Sequence, residues 1–416
     1  MHKAGRYTAA ITLISVGAAV MLDKTTGSDW TSALIGHWPL LFILLGLEYL
    51  LFNMRYRNSE RELKLDLGGV ILSVILSAVV IVSMQSADFF KKFGDMGDFN
   101  IGDAIGAFTD GQKFDKGVTS IPLGSGVENV KLGNRSGNIV LKSGNVDQMQ
   151  VALTVYVQSK DDAEAKRIAD ESVIDSKLSG TTLTVTAAGK EYGSFLGKRR
   201  PRMDLVITVP ANQKLNFDTD LTNGKMTAAD LPVLQRFRAQ TTNGEIQVSG
   251  LEGALELGTT NGQVIASRTA GSIRLTTTNG AVQLTGHRGD AVLEATNGGI
   301  KAEDVNGAVQ AHTTNGSVKV NGVAKDLKAE TTNGSVEVVS RNVQGSWQVS
   351  TSHGSIDLKL PTHGDFTVSG EGSVGSIKSS LPFTTVDKKL VNGTVGSGKY
   401  PIHLETKGSI NISSSD

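Results

Sequence analysis

The chain has 416 residues, of which 48 are Gly, 8 are Pro and none is Cys; 5% are aromatic, and 41 basic residues balance 41 acidic ones. The absence of Cys excludes disulfides, thiolate metal ligands, a cysteine nucleophile and a lipid-modified cysteine anchor, and zero net charge supplies no global field to draw in nucleic acid. The length allows two or three domains, and a composition rich in Gly, Thr, Val, Ser and Asn suits many short strands joined by tight turns.

Three apolar segments, Tyr7–Leu22, Ala33–Phe52 and Leu67–Met84, fill most of the chain from its start to Met84. The second and third approach the ~20 residues that a bilayer crossing requires, and the first is shorter. Lys3 and Arg6 precede the first segment, and Arg55, Arg57, Arg61 and Lys64 crowd the connection between the second and third. The loop between the first two holds Asp23, Lys24 and Asp29, with no basic excess. The positive-inside rule then places the N-terminus and the basic loop in the cytoplasm, and everything after Met84 outside. A cleaved signal peptide is the other reading of the first segment, but Ala18-Ala19 is a poor cleavage site and two spans follow it.

The second segment contains His37-Trp38-Pro39-Leu40-Leu41-Phe42-Ile43-Leu44-Leu45-Gly46-Leu47-Glu48-Tyr49. Its Trp-Pro-Leu start, apolar run and Gly resemble the helical-hairpin membrane region of bacterial LiaI/LiaF-like envelope-stress proteins. Glu48 is a carboxylate deep in that span: it serves either as a polar partner between helices or as a group lifted towards the cytoplasmic interface. Residues 86–117 read as a linker. Phe89, Phe90, Phe93 and Lys91-Lys92 form a short interfacial helix there, stopped by Gly94.

From Val118 the pattern changes to short alternating segments such as Gly137–Leu141, Val151–Val155 and Asp204–Val209, interrupted by helical spacing over Asp161–Val173. That helix is expected to cover one end of the domain, because terminal coils and open sheet edges need covers. A strict repeat follows. Asn243, Asn261, Asn279, Asn297, Asn315 and Asn333 recur at a constant spacing of 18, each preceded by Thr and followed by Gly, and Asn223 and His353 extend the series at spacings of 20. A short period held without insertion marks a solenoid. Counting back from each Asn, the sixth (Leu255, Ile273, Ala291, Val309, Leu327), the fourth (Leu257, Leu275, Leu293, Ala311, Ala329) and the second (Thr259, Thr277, Ala295, Thr313, Thr331) face inward. So does the third residue after it: Ile246, Val264, Val282, Ile300, Val318 and Val336.

Each period therefore holds strands and turns enough for one coil of a parallel β-solenoid, since antiparallel hairpins would not bring identical residues into register. The Gly after each Asn takes a positive φ at one corner. A second corner is marked by Gly253, Gly271, Gly289, Gly307 and Gly345, with Lys325 the departure. Asn side chains stacked coil on coil are expected to form an amide ladder. Gly354–Asp416 continues as looser coils ending in Gly408-Ser409-Ile410-Asn411-Ile412.

With Val206-Ile207-Thr208-Val209-Pro210-Ala211, the repeated Thr-Asn-Gly-x-Val/Ile and the closing Gly-Ser-Ile-x-Ile, residues 118–416 resemble the bacterial putative-adhesin family of β-strand-repeat proteins. The resemblance implies an all-β repeat fold and a surface role.

Catalysis finds little support in the residues. The column four after each Asn reads Gln247, Ile265, Gln283, Lys301, Lys319 and Glu337, with Asp357 equivalent after His353, and pairs no acids across adjacent coils; Asp290 and Asp326 lie two coils apart. The seven His are dispersed, which argues against a metal site. No cofactor and no small-molecule substrate are expected. The densest charge cluster, Lys198-Arg199-Arg200 with Arg202, is either a contact for anionic polymer or a solvated loop.

The expected organisation is a three-helix membrane anchor over 1–85, a linker over 86–117 and an extracytoplasmic β-solenoid over 118–416. The expected role is non-catalytic binding or sensing at the cell envelope, with cell-wall polymer as the partner. The alternatives are a regulatory protein of an envelope-stress system, whose partner is a membrane sensor kinase, and, last, a carbohydrate-active β-helix enzyme.

Overall fold

A computed structural model describes residues 111–415, apart from 160, 194–198 and 388, together with scattered positions before residue 66. Two compact units are present, Met1–Phe108 and Thr109–Asp416. In the first, Lys3–Ala4 pairs in parallel with Lys64–Leu65. The three apolar segments and the interfacial helix lie largely or wholly outside the described residues, among which no helix is long and apolar enough to cross a membrane.

Among its described residues the second unit is all-β apart from one helix, and it is built on two long sheets of 15 and 14 strands. Alternation is the cause. In Ile273–Asn279 and Leu327–Asn333 every second side chain before the closing Asn is buried, as a strand with one core-facing side requires. The expected columns pair in parallel and in register: Leu255 with Ile273, Ile273 with Ala291, Ala291 with Val309, and Val309 with Leu327. The second sheet repeats this with Val264, Val282, Ile300, Val318 and Val336. All these side chains are buried, so one apolar core runs the length of the stack. At the ~4.8 Å spacing of paired strands, the six strict repeats alone give a stack about 30 Å long.

The corner after each Asn is set by close approach more than by dihedral angle. Gly244, Gly262 and Gly280 have φ of +156°, +158° and +157°. A Cβ there would stand 1.8–1.9 Å from the carbonyl oxygen of the glycine one coil earlier. Gly298 and Gly316 would clash just as badly, at 1.7 and 2.1 Å, without a φ in the left-handed range. The glycines are therefore needed because backbone stacks on backbone.

Those glycine carbonyls accept hydrogen bonds from buried threonines of the next coil. Oγ1 of Thr259, Thr277, Thr313, Thr331 and Thr351 donates to the oxygens of Gly244, Gly262, Gly298, Gly316 and Gly334 at 2.8–3.0 Å. Thr in an inward column is thus the donor for an otherwise orphaned corner carbonyl. Ala295 occupies the equivalent place opposite Gly280.

A further turn, which the glycine pattern does not reveal, lies seven positions after each Asn from Asn223 to Asn315. There Asp230, Gly250, Arg268, Gly286, Asp304 and Gly322 all adopt φ between +48° and +73°. At Lys325, the departure from the glycine column, the backbone carbonyl accepts the indole N–H of the fully buried Trp347 at 2.9 Å.

Both ends depart from chain order. Asn129–Ser136 inserts between Thr182–Ala188 and Leu215–Asn223, so the first coil lies inside the stack and later residues cover it. At the far end Tyr400–Thr406 pairs with Trp347–His353, while Phe366–Gly372 lies outside it. Gly354–Asp416 is therefore not a simple run of looser coils. Antiparallel strands finish each end: Gln112–Ile121 with Met149–Val157, Val173–Ser179 with Thr182–Ala188, and Leu390–Val395 with Thr384–Asp387. The first of these begins at Gln112, inside the stretch read as linker.

Asp162–Asp170 is the expected helix. Asp161 caps it by accepting from the amides of Ala163 and Glu164, and Ala165, Ile168 and Ala169 bury its inner face beside Met149–Val157.

Candidate functional site

The stacked fold leaves side chains of every second residue in straight outward columns, and these are where a partner can be met. On the first sheet the Asn side chains form a continuous run. Nδ2 of Asn243 donates to Oδ1 of Asn223, and Asn261, Asn279, Asn297, Asn315 and Asn333 each donate to the preceding Asn, at 2.8–2.9 Å. All are exposed at their edges, yet each amide inside the run is engaged on both sides. A ligand would have to compete with that ladder.

The basic cluster is divided by the fold. Lys198 lies outside the described residues. Arg199 makes a backbone bridge with Tyr192. Arg202 stands 4.4 Å above the Tyr156 ring and binds the Asp204 carboxylate through Nε and Nη2 at 3.1 and 2.7 Å, on the second sheet. Arg200 pairs with Glu191 and turns to a cleft of about 390 Å3 on the first sheet. Arg135 shares that cleft with Arg200, together with Gly133, Thr186, Gly189, Asp220 and Thr222. Arg135 escapes sequence reasoning because it lies far from Arg200 in the chain; the inserted strand Asn129–Ser136 brings it there.

A second cleft of about 380 Å3 lies midway along the same face, between Thr276, Thr278, Glu294, Thr296, His312 and Thr314. Glu294 pairs with Arg274 at 2.7 Å, and Nδ1 of His312 stands 3.7 Å from the Glu330 carboxylate. Asp290 and Asp326 each accept an amide hydrogen bond from the next coil, from Ala308 at 2.9 Å and Ser346 at 2.8 Å. Among the described residues no group of His, Asp and Glu is placed to hold a metal ion.

His287 is fully buried in the core between Thr269 and Val305, with Nδ1 2.9 Å from Thr269 Oγ1. Burial holds its pKa below the usual histidine value. In the first unit, Glu48 is buried and accepts from the Thr8 amide at 2.8 Å and from its hydroxyl at 2.7 Å.

A family model, Toastrack DUF4097, matches residues 127–413. No curated protein matches the chain. Among solved structures, a putative cell adhesion protein from Clostridium sporogenes ATCC 15579 is 14% identical, with 73% of this chain and 100% of that chain covered and a TM-score of 0.22. A putative adhesin from Parabacteroides distasonis ATCC 8503 is 13% identical, covering 60% of this chain and 98% of that one, with a TM-score of 0.40. A putative adhesin from Bacteroides fragilis NCTC 9343 is 13% identical over 73% of this chain and 97% of that one, with a TM-score of 0.31.

Proposed function

The chain belongs to the Toastrack DUF4097 family, and on that premise we propose that it is a non-catalytic binding rod, held at the cell envelope by its N-terminal segments and exposed outside the membrane. The observation that carries this reading is the register of the first sheet, whose parallel pairings run from Thr182–Ala188 through the repeats to Phe366–Gly372. Such register turns Thr, Asn, Glu, Lys and Arg into straight exposed columns, a surface suited to an extended or repetitive partner such as cell-wall polymer. The solid apolar core leaves binding to the exterior. Glu294 is matched by Arg274 at 2.7 Å and Glu337 by Lys319 at 3.3 Å, so these outward acids are balanced by neighbouring cations, which supports a non-catalytic role.

Anchoring rests on the apolar segments Tyr7–Leu22, Ala33–Phe52 and Leu67–Met84 and on the basic residues from Arg55 to Lys64. The reading is tested in cells carrying the full chain. Protease added to intact protoplasts is expected to remove the repeats, and full protection would overturn the topology. Deleting 118–416 is expected to abolish retention of envelope polymer, whereas replacing segment 1–85 by an unrelated anchor is expected to preserve it. If instead only the replacement has a phenotype, and that phenotype is loss of envelope-stress signalling, the chain acts through a membrane sensor kinase and the rod is secondary.

A further inference from the structure

The cleft beside Arg135 exists because of one glycine that the backbone does not need. Gly133 lies in register between Thr186 on one neighbouring strand and Asp220 on the other. It has no positive φ, and a Cβ there would meet only the Thr186 side chain at an ordinary 3.6 Å. The corner glycines are the opposite case, with carbonyl oxygens 1.7–2.1 Å from the place of a Cβ in Gly298 and Gly316. The absent side chain at 133 opens the outward layer instead, between Thr186 and Asp220, in a cleft that Arg135 and Arg200 also line.

Arg135 is exposed, and among the described residues no carboxylate lies within ion-pair distance of it. Arg200 carries donors beyond those used on Glu191, since a guanidinium has five N–H groups. Asp220 is bound by Arg238 at 3.0 Å, and its carboxylate still has lone pairs to accept hydroxyl hydrogens. Thr186 and Thr222 add hydroxyls. The cleft thus joins a cationic side, matched in geometry to phosphate, to a hydroxyl-binding side, in a volume of the size that holds a small ligand.

We propose that this cleft is a subsite for a polyol phosphate or sugar phosphate unit, with the phosphate at Arg135 and Arg200 and the hydroxyls at Asp220, Thr186 and Thr222. This rests on the binding reading above and names its ligand class. The shared chemistry is a phosphodiester on a polyol, whether it comes from a soluble envelope polymer or from a glycerophospholipid headgroup.

The test uses the full chain in detergent micelles, with fluorescent poly(glycerol phosphate) as probe. Arg135→Gln removes the free guanidinium, and Gly133→Leu fills the cleft without changing charge. Lys359→Gln removes an exposed charge at the other end of the rod. The first two are expected to weaken binding about tenfold or more, as loss of a charge-assisted contact does, while Lys359→Gln leaves it unchanged. Equal weakening by Arg135→Gln and Lys359→Gln, with Gly133→Leu inert, would mean diffuse electrostatics and overturn the cleft. Competition by glycerol phosphate oligomers or by phosphatidylglycerol vesicles, each against phosphatidylcholine vesicles, identifies the source; competition by neither overturns the proposal. Retention on whole envelope preparations is measured in parallel. Wild-type retention that both cleft variants keep removes the subsite and leaves the binding rod standing, whereas no wild-type retention removes both.

Discussion

Ala295 breaks the threonine column, and repairing it measures what that column is worth. Thr277 and Thr313, one coil either side, donate to the Gly262 and Gly298 carbonyls at 2.9 and 2.8 Å, but no hydroxyl reaches the Gly280 carbonyl between them. Ala295 is buried and pairs in register with both threonines, so Ala295→Thr places a hydroxyl where its neighbours already show the geometry. A net hydrogen bond contributes about 1 kcal/mol, and the gain is larger when it satisfies a buried carbonyl. Ala295→Val adds comparable volume without the hydroxyl, so the difference between the two variants isolates the bond. In a stack where each coil contacts only its neighbours, the effect is local. Hydrogen exchange of peptides spanning 280–300 is the fitting readout, with protection expected to rise about fivefold for ~1 kcal/mol in the Thr variant over the Val variant. Equal protection in both would show that Thr recurs for its shape and that the corner carbonyl needs no donor.

Asn315→Ala removes two ladder bonds, from Asn333 and to Asn297, and is expected to cost on the order of 1 kcal/mol in urea denaturation, with membrane insertion unchanged; loss of binding with full stability would make the column a binding site. Deleting Gly280–Asn297 rejoins Asn279 to Gly298 in register, and Asp304 then takes the place of Gly286, where a Cβ meets nothing nearer than 3.9 Å. A folded, shorter rod by circular dichroism is expected, whereas deleting Lys319 alone turns Val320 outward and is expected to give misfolded protein; the reverse outcome would rule out a stacked solenoid. Burial disfavours the charged form of His287 in the fold and lowers its pKa, with Thr269 beside it and Asp290 nearby. The unfolded chain therefore binds more protons below about 6.5, and the stability present above that value is lost as pH falls from there through the lower pKa of the folded state. His287→Val is expected to show a smaller loss of denaturation midpoint between pH 7.5 and 5 than the wild type, and an identical loss would exclude His287 as a source of acid sensitivity.

The interior of the rod was legible in the sequence because each coil meets only the coils one period before and after it. Period-two alternation puts Leu257, Leu275 and Leu293 on one face, and identical spacing puts them in register, so local pattern and long-range pairing carry the same information. The Asn-Gly corner could be located in the same way, although its cause, backbone stacked on backbone, is visible only in three dimensions. The left-handed turn at Asp230, Arg268 and Asp304 escaped detection because Asp, Arg and Gly share one position there and no single residue type marks it. The ends were illegible for a stronger reason. Asn129–Ser136 and Tyr400–Thr406 enter the stack out of chain order, and pairing across such distances is chosen by the free energy of the whole assembly, not by any local period. Lys198, Arg199, Arg200 and Arg202 form one cluster in sequence, but alternation turns Arg202 to Asp204 and Tyr156 and leaves Arg200 at the cleft. Arg135 joins Arg200 only through that inserted strand. The repeat was thus determined by sequence alone, and the cleft by tertiary structure, because a site assembled from strands far apart in the chain has no periodic signal to announce it.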